Sequence, residues 1–127
     1  MSGQHKPTDA ELEILTVLWV HGPCTVRQVH DLLESNPPRG YTTVLKLLQI
    51  MSEKGLVRRD VRQRAHIYEA AVTDEATRGT LLEHLMDRAF DNSTSKLIMQ
   101  ALATRPASPA ELAEIRRLLD KIERDMK

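Results

Sequence analysis

Residues 40–70 constrain the fold of this chain more than any other part of its sequence. The first half of this segment repeats apolar residues at helical spacing and reaches Gly55, which suits the left-handed position just past a helix. The second half contains two short stretches, residues 56–60 and 65–70, whose composition and alternation are typical of β-strands. We therefore predict a helix from about Thr42 to Lys54, followed by a β-hairpin.

Two shorter helices are predicted before this segment. Thr8 with Glu11, and Thr25 with Gln28, have the spacing of capping boxes, which start helices. Residues 36–40, Asn-Pro-Pro-Arg-Gly, cannot continue a helix. Three helices and a hairpin in this order predict a winged helix-turn-helix unit over residues 1–72. The apolar residues predicted to face inward are Leu12, Leu15, Leu18 and Trp19 in the first helix, Val29, Leu32 and Leu33 in the second, and Val44, Leu47, Leu48 and Met51 in the third.

The remaining residues, 73–127, predict three further helices with apolar stripes, the last of which begins at Ser108. About 55 residues are too few to bury these stripes in a self-sufficient core. We predict a C-terminal helical dimerisation domain over residues 73–127, covered by a second copy of the chain. The alternative is that these helices fold back on the N-terminal unit. The predicted dimer interface consists of Leu82, Leu85, Phe90, Leu112, Ile115, Leu119 and Ile122.

The distribution of charge suggests DNA as the partner. The whole chain has a formal net charge of zero, yet residues 39–66 carry seven basic side chains against two acidic ones, a local net charge of +5. On the third helix, the polar outer face is a candidate for reading base edges, although a solvated face has the same composition. The predicted base contacts are Thr42, Thr43, Lys46 and Gln49. The predicted contacts to the DNA backbone are Arg39, Arg58, Arg59, Arg62 and Arg64. Strand alternation predicts that Arg58 and Arg59 point to opposite faces, so that only one of them meets DNA directly.

Other classes of function find little support in the sequence. The single cysteine, Cys24, excludes a disulfide framework, and the five histidines have no close metal-ligand spacing, so we expect no metal and no cofactor. No catalytic constellation is visible, and we predict that the protein is not an enzyme. No apolar run approaches the roughly 20 residues of a membrane span, and the N-terminus lacks a signal-peptide pattern. We therefore expect a cytoplasmic protein without a membrane partner.

Several short motifs, in order and with matching gaps, resemble the penicillinase-repressor (BlaI/MecI) family of transcriptional regulators. They are Asp-Ala-Glu-Leu-Glu-Ile-Leu at residues 9–15, Val-Leu-Trp at 17–19, Thr-Val-Arg-Gln-Val at 25–29, Tyr-Thr-Thr-Val at 41–44, Met-Ser-Glu-Lys-Gly-Leu-Val-Arg-Arg at 51–59, and Tyr68. The resemblance is specific over residues 9–72. Over residues 73–127 it rests mainly on length and helical layout.

The resemblance implies a homodimeric repressor that binds an inverted-repeat DNA operator, as for antibiotic-resistance genes of the β-lactamase type. It implies base contacts by Thr42, Thr43 and Lys46. In one branch, a regulatory protease cuts an Asn-Phe bond, but this chain has Gln100-Ala101 at the aligned position. A copper-responsive branch with C-terminal cysteines is excluded, because this C-terminus has none. Two alternatives remain open: a winged-helix module that binds protein, and an effector-binding regulator without proteolytic control.

Overall fold

The structure is a computed structural model that describes residues 6–127. The first five residues of the predicted 1–72 domain lie outside this described part. Six α-helices and three short β-strands form within it, which confirms the prediction of a mainly α fold with a winged helix-turn-helix unit. The elements are α1 (Asp9–His21), β1 (Cys24–Thr25), α2 (Val26–Leu32), α3 (Tyr41–Lys54), β2 (Val57–Asp60), β3 (Ile67–Ala70), α4 (Asp74–Ala89), α5 (Thr94–Thr104) and α6 (Pro109–Asp125).

Local sequence signals fix where the helices begin and end. In α1, the Glu11 backbone N–H donates to Thr8 Oγ1 at 3.2 Å, and the Thr8 N–H donates to Glu11 Oε1 at 3.0 Å. The same reciprocal pairs open α2 and α6, as predicted. At the end of α3, Gly55 has φ of 81°, the left-handed conformation that glycine adopts without strain. These boundaries lie within a few residues of those predicted.

The sheet contains one more strand than the sequence predicted. Its order is β1-β3-β2, and both pairings are antiparallel. The additional strand, β1, places Cys24 opposite Tyr68, between Pro23 and the cap of α2. Two residues are too few to show an alternating pattern, so this strand could not be predicted from the sequence.

One apolar core joins the three helices and the hairpin of the winged unit. Tyr68 on β3 is almost fully buried, and Trp19 donates its indole N–H to the Val72 carbonyl oxygen at 2.9 Å. The buried members of the core are Ile14, Leu15, Leu18, Cys24, Val26, Val29, Val44, Leu48, Met51, Leu56, Val57 and Tyr68.

Some of the predicted inward-facing positions were wrong. Leu32 is 37% exposed, because it is the last residue of α2 and the chain leaves the helix immediately after it. Leu12 is only half-buried, while Ile14 and Val17 are buried; Trp19 is half-buried but packs against the core, as predicted. The cause is that α1 is apolar on more than one side, so spacing alone could not identify the face that packs.

The chain divides into two compact units, with the division after Glu83 and the second unit comprising His84–Lys127. In the second unit, α5 and α6 contain no buried residue. The functional boundary predicted after residue 72 stays a prediction. None of the helices within residues 6–127 is both long and apolar enough to span a membrane.

Candidate nucleic-acid interface

Helix α3 is held with one face inside and the opposite face in solvent. It packs against α1, α2 and β2. Val44, Leu48 and Met51 are fully buried at helical spacing, which fixes the rotation of α3 about its axis. The polar side chains between them therefore point away from the core.

All four side chains predicted to contact bases are exposed on α3, namely Thr42, Thr43, Lys46 and Gln49. Lys46 forms no ion pair with a described residue, and the first turn of α3 has no acidic side chain. A free ammonium, an amide and two hydroxyls can bond to the major-groove edges of guanine, adenine and other bases. This surface, which we name the α3 polar face, has the chemistry that base reading requires.

Three residues beside the start of α3 were not among the DNA contacts predicted from the sequence. Tyr41, the first residue of α3, is partly exposed, and the guanidinium carbon of Arg27 lies 5.3 Å from its ring centroid. The His30 ring meets the Tyr41 ring edge-on, with centroids 6.1 Å apart. Arg27 and His30 belong to α2, so they bring basic groups from outside residues 39–66 to the end of α3 that carries Thr42 and Thr43. The helix-turn-helix pattern could have identified Arg27 and His30, because it places α2 next to the start of α3.

Ion pairs occupy four of the seven basic side chains between residues 39 and 66. Each partner is a carboxylate of the same chain. The pairs are Arg39 with Glu13 at 3.3 Å, Lys54 with Glu11 at 2.8 Å, Arg58 with Glu69 at 3.2 Å, and Arg62 with Asp60 at 2.8 Å. Lys46, Arg59 and Arg64 have no ion-pair partner among the described residues. The net charge of +5 counted from sequence therefore overstates the charge that is free to meet a polyanion.

The pair between Lys54 and Glu11 is structural. The Glu11 side chain is 2% exposed and accepts from Lys54 Nζ with both oxygens, at 2.8 and 3.1 Å. Burial alone would raise the pKa of Glu11, but the hydrogen bonds from Lys54 and from the Thr8 amide outweigh burial and lower it. This bond ties the start of α1 to the end of α3, and so helps to fix the position of the α3 polar face.

The hairpin formed by β2, β3 and residues 61–66 is the wing, and Asp60 shapes its tip. Asp60 Oδ1 accepts from the Arg62 backbone N–H at 3.0 Å, and the Arg62 guanidinium bonds to both carboxylate oxygens. The hydrogen bonds from the Arg62 side chain and backbone lower the pKa of Asp60 to about 2, and the same contact raises the pKa of Arg62. An Asp that bonds the backbone two residues ahead is a recognised turn device, and it replaces the Asn-Gly signal that this tip lacks.

The predicted backbone contacts on the wing, Arg58, Arg59, Arg62 and Arg64, are all exposed. Arg58, Arg59 and Arg62 border one groove of about 620 Å³, together with Glu69 and residues between them. The fifth predicted backbone contact, Arg39, is half-buried in the segment before α3, where it bonds to Glu13. Which of these arginines meets DNA stays a prediction.

The residues predicted to form the dimer interface lie on or beside α4 and α6, and none of them belongs to the described core. Leu82, Leu85, Leu119 and Ile122 are exposed, whereas Phe90, Leu112 and Ile115 are half-buried. Gln100 and Ala101, at the position of the bond cleaved in one branch of the family, are exposed in α5.

Comparison with known proteins decides the family. A family-wide sequence profile described as "Penicillinase repressor" matches residues 7–121. The chain belongs to the penicillinase repressor family. Within that family of transcriptional regulators, it is similar to "Transcriptional regulator BlaI" of Mycobacterium tuberculosis in strains CDC 1551/Oshkosh and ATCC 25618/H37Rv. Each match is 31% identical over 117 residues, and covers 91% of this chain and 83% of the relative.

This chain matches solved structures less closely than it matches the relatives named above. One belongs to a study of how 6-hydroxynicotinic acid regulates DNA binding by Bordetella bronchiseptica BpsR. It is 20% identical, with a TM-score of 0.47, and the match covers 93% of this chain and 76% of that one. Another is a probable transcriptional regulator from Pseudomonas aeruginosa, 21% identical, with a TM-score of 0.47, covering 94% of this chain and 81% of that one. The fold assignment therefore rests on the elements of this chain itself.

The remaining chemistry of the repressor is limited in the part of the chain that the structure describes. Cys24 is buried, and burial raises the pKa of its thiol, which keeps the sulfur protonated and unreactive. No group of three or more His, Cys, Asp or Glu side chains within residues 6–127 is arranged to hold a metal ion.

Proposed function

We propose that this repressor acts as a homodimer that binds an inverted-repeat DNA operator through the α3 polar face. The observation that carries the proposal is the exposure of Thr42, Thr43, Lys46 and Gln49 on one side of a helix whose other side is fixed in the core. Lys46 in particular has no carboxylate partner among the described residues, so its ammonium is free to meet a base. The wing and Arg39 supply the contacts to the phosphates.

The dimer would place two copies of α3 in successive major grooves on one face of the duplex. Half-sites are then expected about 10 base pairs apart, centre to centre, or at a multiple of that spacing. Binding DNA implies that the protein works in the cytoplasm. The family name makes β-lactamase-type genes the first targets to test. Because Gln100-Ala101 replaces the Asn-Phe bond, the inducing signal can act without cleavage at this position.

The test begins by selecting bound sites from random duplex DNA, and then compares two variants on the selected operator and on a scrambled duplex. K46A is expected to lose about 1–3 kcal/mol on the operator, with the loss confined to particular base pairs. Arg64→Ala removes an exposed cation of the wing tip, so it is expected to weaken both duplexes by a similar factor.

Two results would contradict the proposal. If K46A kept the ratio of operator to scrambled affinity unchanged, α3 would not be the reading helix. If the unaltered protein shifted no duplex even at low salt, the alternative of a protein-binding winged-helix module would replace DNA binding altogether.

A further inference from the structure

The wing carries two carboxylates that hold its arginines within the protein. Glu69 lies directly opposite Arg58 in the pairing of β2 with β3, and accepts from Arg58 Nε at 3.2 Å. Asp60 holds Arg62 by three side-chain hydrogen bonds of 2.8 to 3.2 Å. Arg58, Arg62 and Glu69 are exposed and Asp60 is partly exposed, and both pairs border the groove that also contains Arg59.

These carboxylates oppose the approach of DNA phosphates. A phosphate that takes Arg62 from Asp60 exchanges one anionic partner for another and leaves an uncompensated carboxylate next to the DNA backbone. The exchange gains little, because an exposed ion pair and its replacement differ by only a small free energy. The repulsion between the freed carboxylate and the phosphates counts against the complex.

The α3 polar face has no such restraint. Its lysine is unpaired among the described residues, and no acidic side chain lies in the first turn of α3. Contacts to bases can therefore form without breaking an ion pair. Once they form, they hold the wing beside the phosphates, which raises the local phosphate concentration and favours the exchange.

On the basis of the proposed function, we propose that Asp60 and Glu69 attenuate the affinity of the wing for DNA. By keeping Arg62 and Arg58 paired, they impose a cost on contacts between the wing and phosphates, and that cost is most readily met where α3 also fits the bases. The affinity for non-specific DNA depends chiefly on the number of phosphates that the protein neutralises. Holding two arginines per chain in ion pairs therefore lowers that affinity directly. Protonation of Asp60 does not relieve the restraint near neutral pH, since its pKa is about 2 and the carboxylate stays ionised.

The test uses Asp60→Asn and Glu69→Gln, which remove the charge and keep the shape. An asparagine oxygen can still accept from the Arg62 backbone N–H, so the tip retains its turn. The affinities of each variant for the selected operator and for a scrambled duplex are measured over a range of salt concentrations. For each variant, we expect affinity for both duplexes to rise, by about 3- to 10-fold on the operator and by no more than that factor on the scrambled duplex. The slope of log affinity against log salt for the scrambled duplex should steepen by up to about 0.9 per freed arginine.

The matched control is Glu83→Gln, which changes the net charge equally. Glu83 is exposed on α4 and has no ion pair with a described residue. The control should leave affinity for both duplexes within about 2-fold of that of the unaltered protein. A complementary variant, Arg62→Gln, should lower affinity for the operator more than affinity for the scrambled duplex, and it tests the idea even if an Asp60 variant folds poorly.

Two outcomes overturn the inference while leaving the proposed function intact. One is an equal rise in affinity with Glu83→Gln, which would make the effect one of net charge alone. The other is no rise on either duplex with folded variants, which would limit the two pairs to shaping the hairpin. Failure of the unaltered protein to bind any duplex would instead remove the proposed function on which the inference rests.

Discussion

Glu11 and Asp60 each bond to a basic side chain, but they differ in burial. Glu11 is enclosed, and its bond to Lys54, 43 residues away in sequence, joins α1 to α3. Asp60 is partly exposed to solvent, and its bond to Arg62 spans two residues. An enclosed charge whose partner is removed loses its compensation, whereas an exposed one is solvated by water. We therefore expect Glu11 to contribute to stability and Asp60 to the affinity for DNA.

Glu11→Gln is expected to destabilise the fold by about 1–3 kcal/mol near neutral pH, because glutamine can keep the capping box but not the charged bond to Lys54. The pKa of Glu11 is lowered in the folded protein from 4.5, so its stabilisation is present above that value and is lost as pH falls through the lower, folded pKa. Urea unfolding of both proteins at pH about 7 and about 3 checks this, and the difference between them should shrink in acid.

The control for this prediction is Glu13→Gln. Glu13 pairs with Arg39 in a more exposed position, so the change should cost less than about 1 kcal/mol. Equal losses for the two variants would show that burial of Glu11 does not make its ion pair special.

At the scale of elements, features encoded by a few adjacent residues could be predicted from the sequence. Features set by packing between distant residues could not. The caps Thr8, Thr25 and Ser108 start α1, α2 and α6 as predicted, because a cap acts on its own helix. The strand β1 and the face of α1 that packs depend on Tyr68 and other distant residues, which no local pattern encodes. The exposure of the α3 polar face followed from its helical period, but its ion-pair partners on other elements did not.

The end of α3 provides a test at this scale. Gly55 has φ of 81°, and a Cβ at this position would meet no atom within 4 Å. Gly55→Ala should therefore destabilise by about 1 kcal/mol through backbone strain alone, without a steric clash.

Gly79 within α4 also has open space around a Cβ, but has no positive φ. Gly79→Ala should stabilise the protein by about 0.5–1 kcal/mol through helix propensity. Thermal unfolding of both variants gives the comparison, and shifts of the same sign would show that the left-handed turn does not govern the end of α3.

For the whole molecule, the second compact unit poses the remaining question of assembly. Its helices α5 and α6 bury no side chain, and Leu85, Leu119 and Ile122 are each nearly half exposed. Apolar stripes of this kind were predictable from spacing, whereas the surface that covers them was not, because one chain's sequence does not show its neighbour. The proposed homodimer supplies that cover and also gives the two-fold symmetry of an inverted-repeat operator.

Leu119→Glu is expected to weaken this dimer, since a carboxylate placed in an apolar interface loses its hydration without gaining a partner. Sedimentation should show monomer at concentrations where the unaltered protein is dimeric, and affinity for a two-half-site operator should fall by at least about 10-fold while affinity for a single half-site stays the same. Arg117→Glu places the same side chain on α6 outside the predicted interface, and should leave assembly unchanged. If Leu119→Glu remained a dimer with full operator affinity, the α6 stripe would instead be covered by its own chain, and the residues assigned to the interface would have to be sought elsewhere.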